Sequence, residues 1–344
     1  MFLGIEIGGT KLQLGVGRGD GGALVDLRRA QVEPQHGAEG IRRQIEQLGR
    51  ELIERHEISA IGIGFGGPVD AESGRTIVSH QIDGWQDFPL GDWCLQTLGR
   101  PAVLGNDSDL AGLGEARFGA GRGHKIVFYS NVGSGIGGSL VVDGELYRGG
   151  RGVASEIGHL RPGLQSEQPD QTVESIASGW AIAAAVQARL VDPISHSLGA
   201  MRKGMRPSRP ETVRQRLIEL EEADERSAAD LLDRCEGQAD RLTAAMVTQA
   251  AAEGNSLARE VLDHACQTFG WALAQMITLL APDVVVVGGG VSLAGDDLWL
   301  TPLRRYVGRY VFPPLSESFQ ILPALLGEEV VVHGALTLAG AKLA

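Results

Sequence analysis

Two glycine-rich turns of the same design constrain this chain more than any other feature. Gly4-Ile5-Glu6-Ile7-Gly8-Gly9-Thr10-Lys11 and Ser130-Asn131-Val132-Gly133-Ser134-Gly135-Ile136-Gly137-Gly138 each bring in an apolar strand and turn on glycines. A second apolar strand then leaves, Leu12 to Val16 in the first case and Ser139 to Val142 in the second. Glycine leaves backbone amides unobstructed, and bare amides with a neighbouring hydroxyl can solvate phosphate oxygens. Gly8, Gly9, Thr10 and Lys11 on one side, with Gly133, Ser134, Gly135 and Gly137 on the other, are therefore candidates to grip one phosphate chain from both sides. The alternative is that each segment is a structural hairpin, and that Lys11 is a solvated surface charge.

The second turn also carries the spacing Gly133-x-Gly135-x-x-Gly138 found in dinucleotide sites. That fingerprint needs a helix directly after the glycines to hold the pyrophosphate. Here β-branched residues run on to a turn at Asp143-Gly144 instead, so a nicotinamide cofactor does not fit. The 344 residues suffice for two domains, and 43% hydrophobic with 22% charged residues is ordinary for a soluble globular protein. No apolar run approaches the roughly 20 residues of a membrane span. Met1-Phe2-Leu3 leads straight into a strand without a basic leader, so the expected location is the cytoplasm. A formal charge of -12 argues against a nucleic-acid partner. Cys94, Cys235 and Cys266 are few and far apart, which signals neither a disulfide framework nor a cysteine-rich zinc site.

Periodicity gives strands alternating with helices. A meander is expected over Phe2 to Ile7, Leu12 to Gly17 and Ala23 to Ala30, then an amphipathic helix from about Ala38 to His56. The strand Ile58 to Phe65 opens into Gly66-Gly67-Pro68-Val69-Asp70, and strand ends in α/β sheets are where ligands collect. A short helix near Leu90 to Leu98 precedes the strand Ala102 to Gly105, which ends in Asn106-Asp107 ahead of a helix from Ser108 to Phe118. The plan restarts at Lys125 to Val132, a hint of internal duplication into two lobes with a cleft between them. Helices at about Ala177 to Val191 and Leu257 to Leu280 lead to the strand Asp283 to Val287 and then Gly288-Gly289-Gly290. The charged stretch 192–241 interrupts this rhythm and reads as a helical surface insertion without chemistry.

A carboxylate at a strand end inside a cleft suits proton acceptance from an attacking hydroxyl, which makes Asp107 the candidate base. Locally, Asn106-Asp107 could equally do no more than cap the following helix. Glu156 and His159 stand three apart and would share one face of a helical turn, where the alternative is a solvated carboxylate on an exposed turn.

In order along the chain, Gly4 to Lys11, Gly66 to Asp70, Gly84-Trp85, Asn106-Asp107 with Gly114-Glu115, and Gly133 to Gly138 together with Gly152 to His159, Glu174 with Ser178-Gly179, and Pro282 to Ser292 resemble the ROK family. The family's enzymes are ATP-dependent sugar kinases of the two-lobed, actin-like (ribonuclease H-like) α/β fold. The resemblance implies a hexose kinase of the glucokinase kind, using ATP and magnesium and assembling as a homodimer. A small lobe over residues 1–120, completed by a C-terminal helix 333–344, would face a large lobe over 121–332. It assigns Asp107 as catalytic base. Gly67, Asn106, Glu156, His159 and Glu174 go to the sugar, Gly288, Gly289 and Gly290 to the adenosine, and Glu6, commonly an aspartate in the family, to magnesium through water. The chain begins at the first phosphate strand, which suggests the kinase branch rather than the repressors, whose helix-turn-helix domain precedes this point. Two departures stand out. The family's zinc-binding cysteines would fall just before Glu174, where the chain reads Leu164 to Val173 without a thiol, so no zinc site is expected. His80-Gln81-Ile82-Asp83 replaces the asparagine often found before Gly-Trp. The alternative function is a catalytically weak sugar or nucleotide sensor of the same fold.

Overall fold

The computed structural model describes residues 1–79, 81–163, 170–191 and 225–343. Strand β1 (Phe2–Ile7) pairs antiparallel with β2 (Lys11–Gly17), which pairs with β3 (Asp26–Gln31). On the other side β1 pairs parallel with β4 (Ala60–Phe65); after the small hairpin β5 (Val69–Asp70) and β6 (Arg75–Thr76), β4 pairs parallel with β7 (Ala102–Asn106). The order is β3-β2-β1-β4-β7. The second sheet repeats this plan with β8 (Ile126–Val132), β9 (Ile136–Val142), β10 (Glu145–Tyr147), β11 (Val284–Gly288) and β12 (Gln320–Pro323), in the order β10-β9-β8-β11-β12. Three antiparallel strands beside two parallel ones, twice over, is the expected actin-like architecture.

Local chemistry explains most elements. The helix Gly37–Arg55 buries Ile41, Ile45 and Leu52 against the first sheet and ends where the chain turns extended at His56. The hairpin between β9 and β10 turns on Asp143 and Gly144 with φ of 52 and 78, as an Asp-Gly pair permits. Strand β3 begins later than the meander pattern suggests, because Gly19 and Gly21, with φ of 72 and 80, turn the chain first. The helix expected over Ala177 to Val191 is broken at Ser178 into Glu174–Ala177 and Gly179–Val191. Within the expected insertion, residues 192–224 lie outside the described residues. Its described end is helical over 225–234 and buries Leu231 and Cys235 in the second core, so this end is not a surface feature. No helix of the described residues is long and apolar enough to cross a membrane.

The last helix, Val330–Leu343, crosses back from the end of the second sheet onto the first. It lies over a row of glycines in register across three strands, Gly15 on β2, Gly4 on β1 and Gly62 on β4. A methyl on Gly4 would stand 2.8 Å from the Val332 carbonyl oxygen, and one on Gly62 would overlap the Ala335 carbonyl. The same helix crosses Asp107–Phe118, where Gly334 meets the Leu110 carbonyl and Gly114 meets Val330 O. Leu110, Leu113, Val331, Ala335 and Leu338 then join Val127, Tyr129, Val284 and Val286 of the second sheet in one core. Gly334→Ala should therefore destabilise the protein by about 2–3 kcal/mol, since no flexible side chain can give way. A lower urea midpoint at unchanged m-value would show it, and a midpoint equal to wild type would contradict this packing.

Candidate functional site

Strand β7 ends at Asn106 and the helix Asp107–Phe118 starts without an intervening loop. Asn106 is the cap: its Oδ1 accepts from Ser108 N at 2.9 Å and Asp109 N at 3.3 Å, and its Nδ2 donates to Gly67 O at 3.1 Å. Capping falls to Asn106, so Asp107 is not needed for it, and Asp107 Oδ1 accepts from Ser108, its amide at 2.8 Å and its hydroxyl at 3.5 Å. The other oxygen faces Gly66, where a methyl would lie 3.5 Å from Oδ2 and 3.6 Å from Gly8 Cα. Gly66 N donates to Ile7 O at 2.8 Å, tying this loop to the first glycine turn. On the opposite side Ser108 Oγ donates to Asn131 Oδ1 at 2.9 Å, and a methyl on Gly137 would overlap that hydroxyl. Asp107-Ser108 thus stands where the two glycine hairpins meet.

Burial pushes the Asp107 carboxyl up to about 6, against the Ser108 amide that favours its charged form, and the nearby Glu6 charge raises it further. Asp109 is pushed up to about 7, again first by burial, with Arg148 opposing and Glu156 and Asp107 adding. It lines a small cavity with Pro68, Asn106, Gly138 and Glu156. Sequence reasoning passed over Asp109, although its place in the first turn of a helix at a strand end was a usable signal. Glu156 precedes a single helical turn, Ile157–His159, and its carboxyl is raised by partial burial, with His159 opposing and Glu174 adding. This loop is pinned to β9: a methyl on Gly138 would come 2.5 Å from Ser155 O, and one on Gly158 would overlap Ile136 O.

In the first turn Lys11 Nζ lies 3.2 Å from Glu6 Oε1, so Lys11 is ion-paired while half its side chain stays exposed. Gln13 Nε2 donates to Glu6 Oε2 at 2.6 Å and to Glu328 O at 2.8 Å. Burial raises the Glu6 carboxyl in spite of Lys11. Gln13 was not among the sequence candidates, nor was Gln81, whose amide covers Gly9 closely enough that a methyl there would overlap it. Thr10 is exposed at the tip.

The second turn closes on itself through Gly133 N donating to Gly135 O at 2.9 Å. Gly179 N donates to Gly133 O at 2.7 Å, and Ile136 N to Glu174 Oε2 at 2.7 Å. Gly289, with φ of 88, presses against Val132, and a methyl on Gly288 would stand 2.7 Å from the Tyr129 hydroxyl. Gly288 to Gly290 therefore lie beside the second turn. Of the stretch where zinc-binding cysteines were not expected, residues 164–169 lie outside the described residues. Among the described ones no three His, Cys, Asp or Glu side chains converge as a metal cage, and all three cysteines are free and buried.

The sequence profile of the ROK family matches residues 2–342. A glucokinase of Halalkalibacterium halodurans is 30% identical over 338 residues, 97% of this chain and 93% of that one. A Thermotoga maritima glucokinase is 27% identical over 98% of this chain and 96% of its own length. Among solved structures, a ROK glucokinase from Streptomyces griseus in complex with glucose and AMPPNP superposes with a TM-score of 0.79 at 30% identity, covering 99% of each chain.

The raised Asp107 carboxyl has a consequence for stability. The folded state holds this proton more tightly than the unfolded chain, whose carboxyl titrates near 3.8, so stability falls as pH rises from about 4 to 6. Asp107→Asn removes that cost. It should raise unfolding free energy at pH 8 by about 1–3 kcal/mol and much less at pH 4. Urea unfolding at both pH values checks this, and equal effects at the two would contradict the burial argument.

Proposed function

Because the chain belongs to the ROK family, we propose that it is an ATP- and magnesium-dependent hexose kinase of the glucokinase kind. One observation carries the reading. A half-buried carboxylate, Asp107, with one oxygen turned toward Gly66, stands where two glycine turns of matching design converge. The relatives named glucokinase and the glucose and AMPPNP held by the Streptomyces griseus enzyme support hexose and nucleotide as the ligand classes. The two-lobed division, with residues 1–120 and the last helix facing 121–332, belongs to the same proposal.

In this reading the sugar lies over the cavity lined by Asn106, Asp109 and Glu156, and Gly67, His159 and Glu174 contact it as well. Asp107 Oδ2 accepts the proton of the attacking hydroxyl as its oxygen bonds to the γ-phosphorus, while the bond from that phosphorus to the β,γ-bridging oxygen breaks and ADP leaves. A carboxyl near 6 is ionised at neutral pH yet basic enough to take that proton, which an ordinary surface aspartate is less suited to do. The glycine amides of both turns bind the phosphate oxygens, and Gly288 to Gly290 leave room for the nucleoside. Magnesium keeps most of its waters, and Glu6, whose oxygens already meet Lys11 and Gln13, would hold it beside the phosphates through one of them. When bound it would neutralise phosphate charge.

Turnover in an ADP-release assay over a panel of hexoses and N-acetylhexosamines should be highest for a neutral hexose. Asp107→Asn should lower kcat by roughly 10²-fold or more with sugar affinity retained. Near-normal turnover would remove Asp107 from the mechanism. Because Asp107 must be ionised, kcat/KM should fall about tenfold per pH unit below about 6 and level off above it. An acid limb below pH 4.5 would contradict the role of burial. Purified protein should hold no stoichiometric zinc, and chelation should stop turnover only until magnesium is restored. Elemental analysis finding one zinc per chain would overturn this.

A further inference from the structure

The short segment from Glu174 to Gly179 grips both arms of the second glycine turn. Gly179 N donates to Gly133 O on the entering arm at 2.7 Å, and Ile136 N on the leaving arm donates to Glu174 Oε2 at 2.7 Å. The carboxylate lies against the turn itself, since a methyl on Gly135 would come 2.6 Å from Oε2. The grip is anchored from behind, because Val173 and Ala177 are fully buried in the second core. Glu174 Oε1 has no hydrogen-bond partner among the described residues. The same carboxylate is near enough to Glu156 to raise its carboxyl, and the Glu156–His159 loop is fastened to the same residue, Ile136, through Gly158. The Glu174 carboxylate and the Glu156–His159 loop therefore meet at one residue, Ile136.

We propose that Glu174 is a positioning residue for the second phosphate turn, and that sugar occupancy reaches the nucleotide through its carboxylate. This rests on the kinase reading, in which the turn takes phosphate and Glu156 and His159 take sugar. An amide bonded to a carboxylate is among the stronger hydrogen bonds, and it holds a run of residues rich in glycine that would otherwise sample many conformations. Without it the turn's amides must be ordered when phosphate arrives, at a cost in entropy. A sugar hydroxyl donating to Oε1 fixes the carboxylate's rotamer and so pre-orders the turn, which tightens nucleotide binding with no direct contact between the two ligands.

The test is calorimetric binding of a non-hydrolysable ATP analogue with magnesium, with and without the hexose turned over fastest. Wild type should bind the analogue at least about fivefold more tightly with sugar present. Glu174→Ala should bind it roughly tenfold more weakly without sugar and gain nothing from sugar. Glu174→Gln keeps an acceptor for Ile136 N, so its sugar-free analogue affinity should return to within about twofold of wild type. Gly135→Ala, which pushes the same carboxylate off the turn, should weaken analogue binding and remove its gain from sugar. It also serves if the alanine variant at 174 does not fold. If Glu174→Ala and Gly135→Ala bind the analogue as wild type does and only sugar affinity falls at 174, Glu174 is a sugar ligand alone and the inference is overturned, with the kinase reading intact. Wild type that binds neither sugar nor analogue overturns both.

Discussion

The contact on which the rest of the structure depends is between two helix backbones. Where Gly334 of the last helix meets the Leu110 carbonyl of the helix Asp107–Phe118, there is no room for a single methyl group. That approach brings Val331, Ala335 and Leu338 into the core shared with the second sheet. It also sets the axis of the helix that carries Asp107 at its first position. At the other end of that helix the fully buried Glu115 accepts from the amides of Leu325 and Leu326, each at 2.8 Å, and from Ala120 at 2.8 Å. A buried carboxylate left without such donors would be costly, so the loop before the last helix is held in one place. Asp107 is positioned by packing one to two turns further along its helix.

A second link runs from the phosphate side to the same region. Glu328 O accepts from Gln13 Nε2 and from Lys11 Nζ, so the turn that starts the last helix is tied to the first glycine hairpin. Arg29 extends this network, donating to Gln13 Oε1 at 2.9 Å and pairing with Glu329. Buried Glu6 is tolerated because Lys11 and Gln13 occupy its two oxygens, and its charge in turn raises Asp107. The electrostatics of Asp107 and the mechanical anchoring of the first glycine turn share one carboxylate.

Periodicity and turn chemistry made much of the fold legible. The helix Leu90–Leu98 and the Asp143-Gly144 hairpin are local features, decided by residues near one another in sequence. The short strand β12 (Gln320–Pro323) and the helix Thr301–Tyr310 went unread, because a four-residue edge strand carries little pattern of its own. In the site, Asn106-Asp107 was visible as a motif, but that Asn106 is the residue capping the helix was not, since both residue types cap helices well. Gln13 and the Glu174–Ile136 bond are invisible to any local reading. A side chain meeting a backbone amide 38 positions away leaves no trace in spacing or composition.

The row formed by Gly15, Gly4 and Gly62 also bears on how the chain is made. These residues emerge from the ribosome early, but the helix that fills their groove begins only at Val330. At roughly 5–20 residues per second, something on the order of ten to fifty seconds separates the completed first sheet from its covering helix. During that interval Leu110 and Leu113 have no partner at Val331 or Leu338, and an apolar surface waits beside an exposed glycine furrow. The glycine face of the first sheet is therefore the last to be covered, although the core on its other face is complete without the last helix, and the nascent chain is open there to chaperones and to mispairing while the second sheet is being made.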